Sequence, residues 1–295
     1  MKIEDFLQEN ANLVDEYLEH HFLSLRKESS LVSPILYGVK GGKKIRASLT
    51  LATGLSYGIE KKYLLPVAGA IEMIHAFSLV HDDLPCMDND DYRRGKPSMH
   101  RAFGEAMAVL VGDALLIEGL RLVAGNEELI KFGGEEKVLG MVNVILEALG
   151  IEGMVGGQVL DLEGEGREVS EEEVGKIYRQ KTASFLTASI LCGAIAGSAP
   201  SSEREVLKNF GMLLGECFQI KDDILDVTQE KEVLGKTPGK DKLQDKATLV
   251  KVKGVRDSEE IMKDKWEKAT QLLSSLPRSF SLLLEIARFV VERKY

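Results

Sequence analysis

Phe218-Gln219-Ile220-Lys221-Asp222-Asp223-Ile224-Leu225-Asp226 is the stretch that decides how this chain is read. Its polar positions 219, 222, 223 and 226 follow the spacing i, i+3, i+4, i+7, which on an α-helix puts four side chains in one stripe. Phe218, Ile220, Ile224 and Leu225 point elsewhere and can pack. Three carboxylates on one stripe repel each other, and solvation alone gives nothing that a Glu/Lys mixture would not give better. A hard divalent cation resolves the repulsion, and Mg²⁺ takes one or two carboxylates together with waters and substrate phosphates. Taken alone, a solvated acidic helix face is the plainer alternative.

Working outward, helical periodicity dominates and no strand alternation or hairpin signal stands out. Stretches of helix length run over 64–83, 171–195, 202–226 and 277–292, and the prolines fall at or near apparent boundaries, where they cost a helix least. Two segments, 84–101 and 228–245, break the pattern, and each follows an aspartate cluster. The expectation is an all-α protein, with residues 1–295 forming a single domain built as a bundle of long helices.

The bulk numbers exclude several classes. The 295 residues are 44% hydrophobic and 29% charged, an ordinary globular composition. A formal charge of -9 argues against wholesale attraction to nucleic acid or anionic lipid. Met1-Lys2-Ile3-Glu4-Asp5 lacks the apolar core of a signal peptide, and no uncharged apolar run reaches membrane-spanning length. Ala183 to Ala199 comes nearest and reads as a buried helix. Cys86, Cys192 and Cys217 lack metal-type spacing and read as reduced thiols of a cytoplasmic protein.

A further aspartate cluster lies upstream, Asp82-Asp83-Leu84-Pro85-Cys86-Met87-Asp88, followed by Asn89-Asp90-Asp91-Tyr92-Arg93-Arg94. Regular helix would rotate Asp88 about 120° away from Asp82. Pro85 is expected to break the helix and let the chain turn Asp88 back. The helix feeding this cluster carries Ile71, His75, Ser78 and Asp82 on one face. Gly41-Gly42-Lys43-Lys44-Ile45-Arg46 puts glycines before a helix start with Lys43 and Arg46 three apart, a phosphate cradle by type. Arg93, Arg94, Lys181, Lys236 and Lys246 add cations. Lys181 shares an otherwise apolar face with Val174, Tyr178 and Phe185, so it is expected to have an anionic partner.

Together these residues resemble the trans-isoprenyl diphosphate synthases, specifically the bacterial farnesyl and geranylgeranyl diphosphate synthase group, from about Ser33 to the C-terminus. The family's first aspartate motif corresponds to Asp82, Asp83 and Asp88 with Arg93, Arg94 and Gly95, and its second to Phe218, Gln219, Asp222, Asp223 and Asp226. Lys43, Arg46, His75, Gln158, Asp161, Lys181, Thr182 and Lys236 fit its further motifs, and Arg293-Lys294 its basic tail. Two positions depart: Ala47 stands where the family often has proline, and Lys246-Ala247-Thr248-Leu249-Val250 replaces Lys-x-Thr-Tyr-Pro.

The resemblance implies the isoprenoid synthase fold around a central cavity, a homodimer, and Mg²⁺-dependent head-to-tail condensation of isopentenyl diphosphate with dimethylallyl or geranyl diphosphate. About three Mg²⁺ would be held by the aspartates, chiefly Asp82, Asp88 and Asp222, against the allylic diphosphate, with Arg93, Lys181 and Lys236 adding contacts. Thr182 and Gln219 would face the allylic cation as oriented oxygen dipoles. Lys43, Arg46, His75 and Arg94 would hold isopentenyl diphosphate, and the released diphosphate can take the final proton. Phe77 lies about 7.5 Å before Asp82 along the helix. In the family an aromatic there goes with a C15 product and a small residue with longer ones, so farnesyl diphosphate is expected, with Ser78 leaving its own level open.

Other readings are weaker. A terpene cyclase needs no second diphosphate site, a head-to-head synthase would show different aspartate spacing, and a metal phosphohydrolase built on His81-Asp82 leaves the second cluster and Lys181 without a purpose. An inactive partner subunit would be expected to lose aspartates, and here they are all present.

Overall fold

The helix that bears the second aspartate stripe, Ser201–Thr228, runs unbroken for 28 residues and buries Leu207, Phe210, Leu214, Cys217, Ile220, Ile224 and Leu225. The protein is described here by a computed structural model covering residues 2–25, 29–228 and 246–293. In chain order the helices are α1 (Ile3–Leu25), α2 (Val32–Val39), α3 (Ile45–Ser56), α4 (Lys61–Asp82), α5 (Met99–Phe103), α6 (Glu105–Ala124), α7 (Glu127–Gly133), α8 (Glu135–Leu149), α9 (Met154–Gly164), α10 (Glu171–Ile177), α11 (Ser184–Ala196), α12 (Ser201–Thr228), α13 (Leu249–Lys253), α14 (Val255–Ser274) and α15 (Ser281–Glu292). The architecture is all-α, as the sequence predicts.

Helix α4 forms the spine. Leu64, Val67, Ala68, Ala70, Ile71, Met73 and Ile74 are fully buried, because the helix is apolar on nearly every side and has neighbours all round. Gly119 of α6 lets that helix lie close against Ile74 and the Ala70 carbonyl. Pro66 sits within α4 rather than at a boundary, so the helix passes through a residue that supplies no N–H. The stretch predicted as a buried helix is α11, whose Leu186, Ser189, Ile190 and Cys192 are fully enclosed.

Two further departures from the sequence reading matter for the site. Tyr92–Arg93 and Lys96–Pro97 pair as a short antiparallel hairpin. Its two turn residues, Arg94 and Gly95, have φ of 53° and 73°, the left-handed values of a type I′ turn. The stretch expected as one helix over 171–195 is also interrupted. Between α10 and α11, residues Tyr178–Ala183 form one turn of π-helix. Gly157 of α9 and Gly215 of α12 press on that turn from two sides: a Cβ would stand 2.2 Å from the Lys181 nitrogen at the first and 2.3 Å from Ala183 Cα at the second.

Two stretches, Lys61–Asp82 and Glu135–Gly164, are long and apolar enough to cross a membrane by length and composition. The first is the buried spine; the second exposes apolar side chains, including Leu139, Leu146, Ile151, Val155 and Val159.

Candidate active site

The first aspartate cluster forms where α4 ends. Asp82 is its last helical residue, and the chain wraps over it: the Asp88 N–H donates to the Asp82 carbonyl at 2.8 Å, Asn89 to Leu84 at 3.0 Å and Asp90 to Asp83 at 3.2 Å. This is the return predicted from Pro85. Asp82 and Asp88 both line a cavity of about 860 Å³, and so do Gln219, Asp222, Asp223 and Asp226 of the α12 stripe. Ile220 and Ile224 are buried as predicted, and Phe218 packs against the core as predicted while also lining the cavity. Its ring carries Arg46 at 5.8 Å and Arg293 at 4.1 Å.

The carboxylates divide by what touches them. Asp83 is buried and held by the Arg93 guanidinium, which also reaches Asp90 at 3.3 Å. Asp88 accepts from Lys246 at 2.9 Å, and Asp222 from Arg293 at 2.6 Å. Asp223 accepts from Gln219 at 3.1 Å and from the Tyr178 hydroxyl. Asp82 has no side-chain hydrogen bond among the described residues. Burial, with the Asp88 charge adding to it against the opposing pull of Lys181, pushes its carboxyl up to about 6. Among the described residues no three Asp, Glu, His or Cys side chains converge as a complete metal cage. The donor set suits an ion that draws its other ligands from phosphate and water, and a neighbouring cation is what would hold Asp82 ionised.

The cations stand on the opposite rims. The π-turn aims Lys181 at Asp161, 2.5 Å away, which supplies the predicted anionic partner; Lys246 lies 3.6 Å from the same carboxylate. In the same turn, Thr182 donates to Gln219 at 2.8 Å. Across the cavity, Arg46 donates to His75 Nε2 at 3.3 Å, and since a guanidinium can only donate, the His75 proton sits on Nδ1. Burial, with Arg46 and Arg94 nearby, holds His75 well below its usual range, so it is neutral at pH 7. Arg94 lies against Gly42, where a Cβ would come within 2.9 Å of its Nε, and Lys43 is exposed beside Phe289. Lys236 lies outside the described residues.

Several supporting groups carried no readable signal. Glu72 caps the start of α3 by accepting from the Ala47 N–H at 3.0 Å, and Asp15 of α1 accepts from the Gly41 N–H at 3.0 Å. Lys44, fully enclosed and in a left-handed conformation with φ 47°, pairs with Asp15 at 3.1 Å. Tyr178 read as an apolar helix position and proves to be a polar junction. Phe77 and Ser78 both line the cavity. The Phe77 ring meets His81 edge-on at 5.0 Å, and His81 is lodged against Gly112 and the Val109 carbonyl.

The profile of the polyprenyl synthetase family matches residues 28–281. The chain is 39% identical to the farnesyl diphosphate synthase of Bacillus subtilis, over all of this chain and 99% of that one. It is 40% identical to the large subunit 1 of a chloroplastic heterodimeric geranylgeranyl pyrophosphate synthase of Arabidopsis thaliana, over 96% of this chain and 77% of that one. A geranyltransferase of Helicobacter pylori, solved with magnesium and isoprenyl diphosphate, superposes with a TM-score of 0.85 at 30% identity, covering 99% and 97% of the two chains. The chain is thus a prenyltransferase with the all-α isoprenoid synthase fold. The chain belongs to the polyprenyl synthetase family.

Proposed function

We propose that this prenyltransferase condenses isopentenyl diphosphate head-to-tail with dimethylallyl and geranyl diphosphates and releases farnesyl diphosphate. The observation that carries the reading is that carboxylates from both clusters, cations from both rims and Phe77 line one cavity. Asp82, Asp88 and Asp222 would hold Mg²⁺, about three ions per site, with Asp226 beside them; the magnesium in the Helicobacter pylori enzyme supports this. Bound Mg²⁺ supplies Lewis-acid neutralisation of the departing diphosphate.

The protein's own groups do the rest. Asp83 holds Arg93 and Asp223 holds Gln219, so these two carboxylates position cavity groups. Arg93, Lys181, Lys236 and Lys246 hold the allylic diphosphate and share the charge that builds on it as the C–O bond breaks. The oxygens of Thr182 and Gln219 face the allylic cation as fixed dipoles. Lys43, Arg46 and Arg94 bind isopentenyl diphosphate, and neutral His75 offers its Nδ1–H to the same group. The diphosphate that leaves can accept the final proton. Phe77, braced by His81 against Gly112, floors the channel and limits the chain to C15. Ser78 and the geranylgeranyl pyrophosphate synthases among the relatives keep a C20 product as the second reading.

Residues 1–295 are proposed to act as one domain, since α3 and α11 each contribute side chains to more than one apolar cluster. A cytoplasmic homodimer without stable membrane insertion fits the apolar face of α6 and α8, where Leu110 and Ile117, and Leu139 and Leu146, stand exposed seven residues apart on adjacent helices. A membrane-docked monomer would instead sediment with vesicles. The test of activity is direct: the purified chain with Mg²⁺, dimethylallyl and isopentenyl diphosphates should yield farnesol after dephosphorylation and chromatography. Geranylgeraniol as main product would move the reading to C20, and no elongated product would overturn it.

A further inference from the structure

We infer that Tyr178 is a positioning residue: its hydroxyl restrains Asp223, the carboxylate that orients the Gln219–Thr182 pair, and anchors the backbone that carries Lys246. The inference rests on the proposed reading for its catalytic consequence, although the hydrogen-bond chain stands on geometry alone.

Tyr178 opens the π-turn. Its ring is 4% exposed and packs in an apolar cluster with Val174, Ile177, Ile220, Ile224 and Leu249. A buried phenol hydroxyl needs partners, and this one meets Asp223 and the Leu249 N–H. It accepts from the Leu249 N–H at 2.7 Å and donates to Asp223 Oδ2. The other oxygen of Asp223, Oδ1, accepts from Gln219 Nε2 at 3.1 Å, and Gln219 Oε1 accepts from Thr182 Oγ1 at 2.8 Å.

The order of protons along this chain is forced. A backbone N–H can only donate, so the Tyr178 oxygen receives it and turns its own proton to Asp223. Asp223 accepts at both oxygens, so Gln219 presents its NH₂ to Asp223 and its oxygen to Thr182. Thr182 therefore spends its single proton on Gln219. What its hydroxyl offers the cavity is lone pairs, the polarity that favours positive charge developing in the substrate. With the Tyr178 hydroxyl gone, Asp223 loses a donor and the Leu249 N–H loses its acceptor. Gln219 and Thr182 then hang on an Asp223 carboxylate that is restrained by one contact fewer.

The second consequence concerns Lys246. It stands three residues before Leu249 and pairs with Asp88 at 2.9 Å and Asp161 at 3.6 Å. Its backbone is fastened to the core at Ala247 and Leu249, both buried, and at the hydrogen bond to Tyr178. The same hydroxyl thus serves the cation-facing dipoles and one of the diphosphate-facing cations.

Tyr178→Phe keeps the ring and removes the oxygen. In the full-length chain it should lower kcat about tenfold while leaving the KM for isopentenyl diphosphate within about twofold, because the lost ordering acts on the transition state rather than on that substrate. Amide hydrogen exchange at Leu249 should speed up by at least about tenfold. Thr182→Val should cost less kcat in the Tyr178→Phe background than in the wild type, since residues in one network couple. Leu249→Pro gives a second route to the same end. Position 249 is the first of α13, where proline is tolerated, and Thr248 before it is already extended, so the change deletes the N–H without forcing the backbone. It should reproduce the kcat loss. Unchanged exchange at Leu249 in Tyr178→Phe, a wild-type kcat in that variant, or strictly multiplicative losses with Thr182→Val would each overturn the inference. If the wild-type chain forms no elongated product, the proposed function fails, and the exchange measurement alone decides whether the tether exists.

Discussion

Asp222, Asp223 and Asp226 stand on an uninterrupted helix, whereas Asp82, Asp83 and Asp88 stand on a helix end that the chain has wrapped over itself. The two clusters contribute to the wall of one cavity, yet they are built by opposite means: one from the 3.6-residue period, the other from its termination. Within both, the second aspartate of the pair is tied up by protein donors, Asp83 by Arg93 and Asp223 by Tyr178 and Gln219. The first aspartates differ. Among the described residues Asp82 has no side-chain hydrogen bond, while Asp222 holds Arg293. Adjacent carboxylates in one motif therefore have unequal partners, and spacing alone does not separate them.

The strongest challenge to that division is kinetic. Asp82→Ala and Asp222→Ala should each lower kcat by at least about a thousandfold with Mg²⁺ supplied, whereas Asp83→Ala and Asp223→Ala should lose about ten- to a hundredfold, as groups that act through another side chain. Equal losses at Asp82 and Asp83 in steady-state assays would erase the distinction. The cations should split in the same way. Lys181→Ala is expected to act on kcat by about a hundredfold, and Arg46→Ala to raise the KM for isopentenyl diphosphate about tenfold with less change in kcat. An Arg46→Ala defect confined to the allylic substrate would reverse the assignment.

Product length tests what lies beneath the first cluster and has no counterpart beneath the second. Phe77→Ala should remove the floor that His81 braces and shift products toward C20, and Ser78→Phe should shorten them toward C10. Chromatography of the dephosphorylated products reads both, and unchanged lengths would place the floor elsewhere.

The smallest effect is on stability. Asp82 has its carboxyl raised to about 6 from its ordinary value of 3.8. Between those values the folded state binds more protons than the unfolded one, so this group's contribution to stability falls as pH rises through that window. Asp82→Asn should then raise the Tm of the metal-free protein at pH 7.5 by a few degrees, on the order of 1 kcal/mol. It should do almost nothing at pH 4. The Tm gain from Mg²⁺ with inorganic diphosphate should be larger at pH 7.5 than at pH 5. A gain independent of pH would separate Asp82 from metal binding.

How much of this could be read in advance follows from the range of each interaction. The α12 stripe was legible because its polar positions repeat at helical spacing, and the return of Asp88 because Pro85 marks where the helix must stop. Lys181 announced an anionic partner by being charged on an apolar face, although nothing local pointed to Asp161. The hairpin at Tyr92–Pro97 escaped because strands of two residues have no alternation to detect, and its turn uses Arg94-Gly95 rather than an asparagine. Asp15 and Glu72 lie far along the chain from the loop they hold, and such pairings leave no periodic trace. The π-turn is invisible for a different reason: a hydrogen-bond slip needs no particular residue type, and here the pressure from Gly157 and Gly215 accompanies it.

That turn also limits how the protein can be recombined. A π-turn is a helix carrying one surplus residue. Deleting a single residue between Tyr178 and Ala183 would let ordinary α-helical bonding resume and would turn everything on one side of the deletion by about 100°. Val174 and Ile177 would leave their apolar neighbours, or else Phe185 and Leu186 would leave theirs. Insertions in the exposed stretch before α10 carry no such phase penalty. Chimeras with relatives of this chain should therefore exchange Gly157, the segment Tyr178–Ala183 and Gly215 together, as one inherited block, because a crossover that separates them pairs a swollen turn with a neighbour that has no room for it.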